Sequence, residues 1–281
     1  MSESSDIMTG WYDRLAELYT NRGSDRFLPL LADALMHLAK ADSMLILRHS
    51  DNTQPVFLYT KADHSLRKRN IGEYLSGPYL LDPFYQISDQ YQEPGFVHLK
   101  DISGEGFYEG EYYDSWIKFA GLKDEVNYFI PVEDGEKIVI SLSRNLNNWF
   151  FNEGAIEKLK QVLPLIDRIV CDYWTKSRGD LVQEKESLPT LHESLQGAMD
   201  NFGRSVLTER EFEIVQYLLR GHSIKSTAER LGISPTTIKV HRKHIYQKLD
   251  IASHSELFSL FLDALSIVRP GQQEDPLISY N

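Results

Sequence analysis

Residues 208–249 carry the same helix-start signal three times in succession. Thr208, Ser223 and Ser234 each precede a stretch with helical spacing, and a hydroxyl residue in that position caps the first turn of a helix. Gly232 marks the end of the second helix, because glycine readily adopts the left-handed conformation that stops a helix. Only one residue then separates it from the cap of the third helix. The sequence therefore predicts two helices joined by a tight turn, a helix-turn-helix.

A fourth helix follows and completes an all-α, four-helix domain over residues 204–268. It runs from about residue 253 to residue 266 and carries Leu257, Phe261 and Leu265 at a spacing of four residues. This stripe is too apolar for a helix end that is left in water. We therefore expect a second copy of the chain to cover these residues in a homodimer.

The third helix is basic in a chain whose formal net charge is −11. Between Ser234 and Leu249 there are four basic residues and no acid. Ile238, Ile245 and Leu249 form one apolar stripe, and four residues lie largely off it: Lys239, Val240, Arg242 and Lys243. Such a face suits the major groove of DNA, where lysine donates to guanine and valine contacts the thymine methyl group. The hydroxyls of Ser234 and Thr237, at the helix N-terminus, suit phosphate oxygens.

Charge and composition indicate what surrounds this helix. Residues 204–265 hold nine Lys or Arg and seven Asp or Glu, whereas residues 1–203 hold 20 and 32. This asymmetry favours a nucleic-acid-binding module joined to a different domain. Cys171 is the single cysteine, and the sequence has neither a signal-peptide pattern nor an apolar run of about 18 residues. We expect a cytoplasmic protein with no cofactor, no metal and no membrane partner.

The N-terminal part alternates between helical and strand-like patterns. Apolar residues follow helical spacing to about residue 40, and further helices are predicted at 64–76, 108–120 and 152–176. Two strand pairs are predicted, 43–50 with 54–60 and 125–132 with 137–144, and a weaker strand at 95–102. Hairpins of this kind make an antiparallel sheet. The predicted fold is an α+β sensor domain over residues 1–176, an α/β/α sandwich.

A polar segment separates the two predicted domains. Residues 177–203 contain Gly179, Pro189 and Gly197 and lack sustained periodicity, which indicates a linker. Residues 269–281, after the four-helix domain, form a tail.

Aromatic residues occupy 24% of the positions between 79 and 128, against 11% of the whole chain. Pockets for small ligands are lined in this way, which favours a sensor domain controlled by a small-molecule effector. Two other functions stay open. One is a ligand-free dimerisation or protein-interaction module. The other is an enzyme, which is disfavoured because the only candidate set, His49, Asp51, His64 and His98, lacks metal-ligand or catalytic spacing.

The segment LTEREFEIVQYLLRGHSIKSTAERLGISPTTIKVHRKHIYQKL closely resembles the LuxR-type DNA-binding domain. The resemblance implies a transcriptional regulator that binds double-stranded DNA at an inverted repeat, with RNA polymerase as a candidate partner. It also implies dimerisation through the fourth helix. Contacts to base edges are implied for Lys239, Val240 and Lys243. Contacts to the DNA backbone are implied for Lys225, Thr237 and Arg242.

The motifs YLLDPFY, EPGFVHL and YYDSWIKFAGLKDEVNYFIPV are similar to the autoinducer-binding domain of quorum-sensing LuxR proteins. In that family the aspartate matched by Asp82 accepts a hydrogen bond from the amide of an acyl-homoserine lactone. Two departures argue against a lactone here, since Arg69 replaces the lactone-binding tryptophan and Glu125 replaces a glycine. The resemblance therefore implies a regulator that responds to another metabolite.

A pocket that keeps Asp82 and gains Glu125 favours a guest with N–H donors, because a desolvated carboxylate is costly unless it is paired. We expect a small nitrogen-containing metabolite with Asp82 as its main polar anchor. Candidate walls of this pocket are Tyr79, Tyr85 and Trp116. In the alternative, Glu125 points to solvent or is neutralised by the run Arg67–Lys68–Arg69, and Asp82 only caps the helix that starts at Pro83.

Overall fold

The computed structural model describes residues 2–50, 53–62, 69–102, 113, 121–181, 189–269, 271–272 and 274–280. These residues divide into two compact units. The first unit draws on 1–69, 87–99 and 121–187, and the second on 70–86, 100–120 and 188–281. Residues 70–86 therefore belong to the same unit as the C-terminal helices, whereas the predicted domain boundary grouped them with the N-terminal domain.

Helices and strands alternate in the first part of the chain, and helices alone follow. In chain order the elements are α1 Ser2–Thr20, α2 Phe27–Ala39, β1 Ser43–His49, β2 Val56–Lys61, α3 Arg69–Leu75, α4 Pro83–Ile87, β3 Gly95–His98, α5 Leu99–Ile102, β4 Leu122–Pro131, β5 Lys137–Asn145, α6 Glu153–Leu181, α7 Pro189–Asn201, α8 Glu209–Leu219, α9 Ile224–Leu231, α10 Pro235–Leu249, α11 His254–Ser266 and α12 Leu277–Tyr280. The predicted helix at 108–120 lies outside the described residues except for residue 113. None of the described helices is both long and apolar enough to cross a membrane.

The described strands form a five-stranded antiparallel sheet in the order β2-β1-β5-β4-β3. Strand β5 lies at its centre, where Ile140 is paired with Ile46 on one side and with Tyr128 on the other. Both predicted hairpins are confirmed, and the weaker strand at 95–102 is confirmed over its first residues as β3. The predicted α+β fold class of the N-terminal part is therefore confirmed.

One face of the sheet packs against α2 and α6, and α1 packs on α2. Along β4, Val126, Tyr128 and Ile130 are fully buried in this core, as the period of two along a strand requires. The helices close the core, and the ring of Phe27 stacks on that of Tyr173 with centroids 4.2 Å apart. Burial of this apolar surface is the main term that stabilises the first unit.

The predicted linker is largely helical. Helix α6 continues to Leu181 and α7 covers Pro189–Asn201, while residues 182–188 lie outside the described part of the chain. The sequence did carry a signal for this helix, because Leu191, Leu195, Ala198, Met199 and Phe202 follow helical spacing. Among the described side chains of α7, Leu195, Ala198 and Met199 are buried together with the polar His192 and Ser194.

Helices α8 to α11 confirm the predicted all-α helix-turn-helix domain. Each begins at the predicted type of cap, a hydroxyl oxygen that accepts a hydrogen bond from the backbone N–H three residues further on. The donor–acceptor distances lie between 3.0 and 3.4 Å for Thr208, Ser223, Ser234 and Ser253. Local chemistry alone therefore defines where these four helices start.

Helix α11 does not present the apolar stripe that was expected to bind a second copy. Leu257, Phe261 and Leu265 are buried within the chain itself, at no more than 2% exposure. The ring of Phe261 packs edge-on against that of Phe202, just after α7, with centroids 5.0 Å apart. The expectation that a second copy covers these residues was wrong, because the supposed linker supplies the cover.

The tail folds back onto the second unit. The buried carboxylate of Asp275 accepts hydrogen bonds from the backbone N–H groups of Gly203, Ser205 and Leu277, at 3.0, 2.7 and 3.1 Å. Leu277, the first residue of α12, is also buried. The tail therefore fastens the loop between α7 and α8 to the end of the chain.

Candidate nucleic-acid interface

Helix α10 separates its side chains into a buried stripe and an exposed face. Ile238 and Ile245 are fully buried, and Leu249 is half-buried. The three residues predicted to contact base edges lie together on the exposed face: Lys239, Val240 and Lys243. Val240 is 50% exposed, so this apolar side chain contributes little to the core of its own domain. The face can therefore meet a partner without any loss of packing.

The same face carries three residues that the sequence prediction left out. Thr236, His244 and Gln247 are exposed and continue the spacing of three and four residues that starts from Val240 and Lys243. This spacing is visible in the sequence and was the signal that could have found them. They extend the exposed face over three turns of α10.

The first turn of α10 is fixed by Ser234. Its Oγ accepts a hydrogen bond from the Thr237 N–H at 3.0 Å and lies 2.8 Å from Thr237 Oγ1. Both residues are exposed, and Pro235 fills the first helical position, where no backbone donor is needed. The two hydroxyls therefore lie at the positive end of the helix, where an anion is stabilised.

The remaining two predicted backbone contacts differ in exposure. Lys225, the second residue of α9, is exposed. Arg242 is half-buried, and its guanidinium carbon lies 5.7 Å from the centroid of the Tyr246 ring. This stacking orders the Arg242 side chain in advance and so reduces the entropy that it loses on contact with a partner.

The turn between α9 and α10 depends on Gly232 and Arg210. Gly232 has a φ of +64°, and no neighbouring group lies within 4 Å of the place a Cβ would take. Glycine is needed there for its backbone conformation rather than for space. Arg210 Nη2 donates to the carbonyl oxygen of Leu231 at 2.8 Å, which ties α8 to the turn.

Glu211 links the start of α8 to the end of α10. Its Oε2 accepts hydrogen bonds from the Thr208 N–H at 2.9 Å and from Lys248 Nζ at 2.6 Å. Burial alone would raise the pKa of Glu211, but the hydrogen bonds from Lys248 and Thr208 lower it to about 2. Glu211 is therefore ionised at neutral pH. The sequence predicted its part in the capping box but not its contact with Lys248.

Comparison with known proteins identifies the family to which these helices belong. Residues 205–261 match the family described as bacterial regulatory proteins, luxR family. A protein of Aeromonas salmonicida, named as an HTH-type transcriptional regulator in the exeN 3′ region, is 32% identical over 197 residues, which cover 69% of this chain and 100% of that protein. The chain belongs to the LuxR family of bacterial regulatory proteins.

Similarity to other proteins extends beyond the DNA-binding domain of this LuxR-family chain. The monoamine regulon transcriptional regulator of Klebsiella aerogenes is 28% identical over 148 residues, which cover 53% of this chain and 54% of that protein. The crystal structure of the VqsR LBD domain from Pseudomonas aeruginosa is 27% identical, covers 59% of this chain and 98% of that chain, and superposes with a TM-score of 0.51. The chain is thus a LuxR-type transcriptional regulator, not an enzyme, and its N-terminal part is similar to the VqsR LBD domain.

Asp82, the predicted effector anchor of this regulator, has the contacts of a helix cap. Its Oδ1 accepts a hydrogen bond from the Phe84 N–H at 2.8 Å, and its Oδ2 accepts one from the Tyr74 hydroxyl at 2.7 Å. Burial raises the pKa of Asp82, and these hydrogen bonds oppose that rise. Asp82 therefore has the geometry of a helix cap, which was the alternative to its role as effector anchor. Tyr74 is a partner of Asp82 that the sequence did not reveal.

Two of the predicted pocket walls are neighbours in the second unit. The rings of Tyr79 and Tyr85 meet edge to face with centroids 4.9 Å apart. Tyr79 is fully buried, and its hydroxyl oxygen lies 2.7 Å from Nδ1 of His192 in α7. The third predicted wall, Trp116, lies outside the described residues, as do Arg67 and Lys68.

Glu125 lies in the first unit, on the sheet face opposite the apolar core. Alternate residues of β4 share this face, so Asn127 lies beside it, and the two are paired across the sheet with Ser143 and Ser141. Asn127, Ser141 and Ser143 are buried. In the amide orientation that satisfies its neighbours, Asn127 Nδ2 donates to Glu125 Oε1 and to Ser141 Oγ, each at 3.0 Å. This face therefore combines a carboxylate with buried amide and hydroxyl groups.

The histidines considered for catalysis have structural partners. His98 Nε2 lies 2.9 Å from Asp124 Oδ1, and His49 Nδ1 lies 3.0 Å from Ser88 Oγ. Burial and the charge of Lys137 lower the pKa of His49 to about 3, so that its ring is neutral. Asp51 and His64 lie outside the described residues. Within the described ranges, no group of three His, Cys, Asp or Glu could hold a metal ion.

Proposed function

We propose that this LuxR-family regulator binds an inverted-repeat operator as a homodimer through α10, under the control of a small nitrogen-containing metabolite. The exposed face of α10 carries the DNA-binding part of the proposal. Lys239 and Lys243 donate to guanine edges in the major groove, and Val240 contacts a thymine methyl group. Contacts to phosphate oxygens come from Lys225, Ser234, Thr237 and Arg242.

The homodimer is proposed from the geometry of DNA reading. One helix-turn-helix reads one half-site, and two copies related by a twofold axis read an inverted repeat. Because Leu257, Phe261 and Leu265 are used inside the chain, a contact through α11 has to come from other residues of that helix. These include the exposed Glu256, Ser259 and Asp263 and the half-buried Leu260 and Leu262. Sedimentation on a duplex with both half-sites tests this. Two copies per duplex support the homodimer, and one copy at saturation contradicts it.

The nature of the effector is proposed from the carboxylates. Glu125, with the buried groups of Asn127 and Ser141 beside it, offers both acceptors and donors to an amine or amide. Asp82 as a second acceptor and Tyr79, Tyr85 and Trp116 as walls of the pocket stay predictions from the sequence. The name of the Klebsiella relative refers to a monoamine regulon, and monoamines belong to the same class of nitrogen-containing metabolites.

A ligand-free interaction module is the second candidate, and Asp82 and Tyr79 favour it. Asp82 has the contacts of a helix cap, and the Tyr79 hydroxyl has a partner within the chain. Neither residue then needs an effector to satisfy its polar atoms.

Mass spectrometry and thermal melting of the full-length chain test the effector. The purified protein is denatured, and released small molecules are identified. Benzylamine, N-butylacetamide and an acyl-homoserine lactone are then compared as additives, because a ligand that binds only the folded state raises the melting temperature. We expect a released nitrogen compound and a shift with the amine or amide that Glu125→Gln abolishes. No released compound and no shift with any additive would support the ligand-free module instead.

A further inference from the structure

We propose that Tyr79 and His192 form an effector-sensitive latch, which holds the segment Gly77–Leu81 on the DNA-binding unit and opens when effector engages Tyr79. This latch rests on the proposed function, because it takes Tyr79 to line the effector pocket. It adds the route by which that pocket would influence the DNA-binding helices.

The segment Gly77–Leu81 is buried against two helices of the second unit. A Cβ placed on Gly77 would lie 3.0 Å from Leu265 Cδ1 in α11 and 3.5 Å from Leu195 Cδ2 in α7. The backbone of Gly77 is therefore in direct contact with both helices. Two residues further on, the Tyr79 hydroxyl reaches His192 in α7 at 2.7 Å.

The Tyr79–His192 hydrogen bond joins two neutral groups. Burial and the neighbouring Tyr85 raise the pKa of Tyr79, so its hydroxyl keeps its proton. Burial lowers the pKa of His192, although Glu193 opposes this, and the ring stays neutral at physiological pH. The Tyr79 hydroxyl and His192 Nδ1 therefore share a hydrogen bond between neutral groups, and both residues are buried. A buried bond of this kind contributes about 1 kcal/mol when it is made and leaves two unsatisfied groups when it opens.

Helix α7, which carries His192, is fastened to the helix-turn-helix domain at its other end. The carbonyl oxygen of Met199 accepts a hydrogen bond from Gln216 Nε2 at 3.0 Å, and Asp200 Oδ1 accepts one from Arg220 Nη2 at 3.0 Å. Both donors lie at or next to α8. A displacement of α7 at His192 would therefore be transmitted to α8, the helix that Glu211 joins to α10.

Effector and latch compete for the same side chain. Tyr79 has no exposed surface, and its ring is enclosed by those of Tyr85 and Tyr74, at centroid distances of 4.9 and 6.3 Å. A compound that contacts Tyr79 has to displace one of these contacts or the bond to His192. Because one side chain cannot make both sets of contacts, effector binding and latch closure are thermodynamically linked. The segment also lies along the chain between β2 and β3, two strands of the sensor sheet.

The test compares Tyr79→Phe, His192→Phe and the double variant with a matched control. Tyr128→Phe is the control, because it also removes one buried tyrosine hydroxyl, which donates to the Leu159 carbonyl at 2.8 Å in the first unit. The measurement is the effector-free affinity of the full-length chain for a duplex selected by the wild type from a random DNA pool. We expect Tyr79→Phe and His192→Phe each to change this affinity about fivefold and in the same direction. The double variant should change it no more than either single variant does. The control should stay within about twofold of the wild type.

Additive effects in the double variant, or latch variants that match the control, would overturn the latch. Hydrogen exchange gives a second readout that does not depend on DNA. Backbone amides of α7 should exchange faster in Tyr79→Phe than in Tyr128→Phe, and equal rates would also overturn it. These experiments use no effector. They can therefore refute the latch while the melting experiment supports an effector, and they can support the latch while the melting experiment finds no effector.

Discussion

Lys248 Nζ lies 2.6 Å from Glu211 Oε2, although 37 positions separate the two residues in the chain. Glu211 belongs to the first turn of α8, and Lys248 to the last turn of α10. One buried carboxylate therefore completes the capping box and also holds the end of the basic helix. This contact and the buried side chains of Ile238 and Ile245 together hold α10 with its basic face exposed.

Glu211→Gln should lower the free energy of unfolding of the C-terminal domain by about 1–3 kcal/mol, because Lys248 and the capping box lose a charged acceptor. Urea denaturation of the full-length chain measures this. Glu213→Gln is the matched control, since Glu213 is exposed and pairs with Arg210 on the helix surface. That change should cost no more than about 0.5 kcal/mol. Equal losses in the two variants would contradict the role given to Glu211.

The contribution of Glu211 should depend on pH. Its pKa is lowered from 4.5 to about 2 in the folded chain. A lowered pKa means that the contact stabilises the fold fully above pH 4.5 and is lost as the pH falls toward 2. The difference in unfolding free energy between the wild type and Glu211→Gln should therefore be constant near neutral pH and shrink below pH 4.5. Urea denaturation at stepwise lower pH checks this, and a difference that persists at about pH 2 would contradict it.

Local signals in the sequence predicted the helix starts well. Thr208, Ser223 and Ser234 are recognisable because each cap bonds a residue three positions away, and strand hairpins are recognisable because alternation is also local. The contacts Glu211–Lys248 and Tyr79–His192 join distant parts of the chain. Only folding brings such residues together, so no pattern in the sequence could predict them.

Misreading α7 had the largest effect on the prediction. Leu191, Leu195, Ala198 and Met199 follow helical spacing, but Pro189 and Gly197 were taken as signs of a linker. Once this helix was taken for a linker, Phe261 and its neighbours on α11 were left without cover and were assigned to a dimer contact. An error about one helix thus became an error about which residues a second copy of the chain would contact.

Phe261→Ala should lower the free energy of unfolding of the C-terminal domain by about 3–5 kcal/mol, because it leaves a cavity against Phe202. Ser259→Ala, an exposed position on the same helix, should change it by less than about 0.5 kcal/mol. Thermal and urea denaturation measure both. If Phe261→Ala kept its stability but lost self-association in sedimentation, the residue would belong to a dimer contact after all.

Asp82→Asn separates the anchor role of Asp82 from its cap role. Asparagine keeps a side-chain oxygen for the Phe84 N–H, so stability without effector should stay within about 0.5 kcal/mol, whereas Asp82→Ala should cost about 1 kcal/mol. The melting-temperature shift with an amine or amide should disappear in Asp82→Asn, because the carboxylate charge is lost. A normal shift in Asp82→Asn would mean that Asp82 is only a helix cap.

Sequence discrimination by the exposed face of α10 is the central claim. Lys239→Ala, and equally Lys243→Ala, should weaken binding to the selected duplex by about 1–3 kcal/mol and leave the fold intact, because both side chains are exposed. Arg242→Ala serves as the comparison, since the loss of a phosphate contact should weaken binding to every sequence and reduce its salt dependence.

The most direct measurement is the affinity of Lys239→Ala for the selected duplex and for random DNA at one salt concentration. We expect a loss on the selected duplex at least about fivefold larger than on random DNA. Equal losses on both would show that Lys239 does not contact a base and that the exposed face of α10 does not read the sequence as proposed.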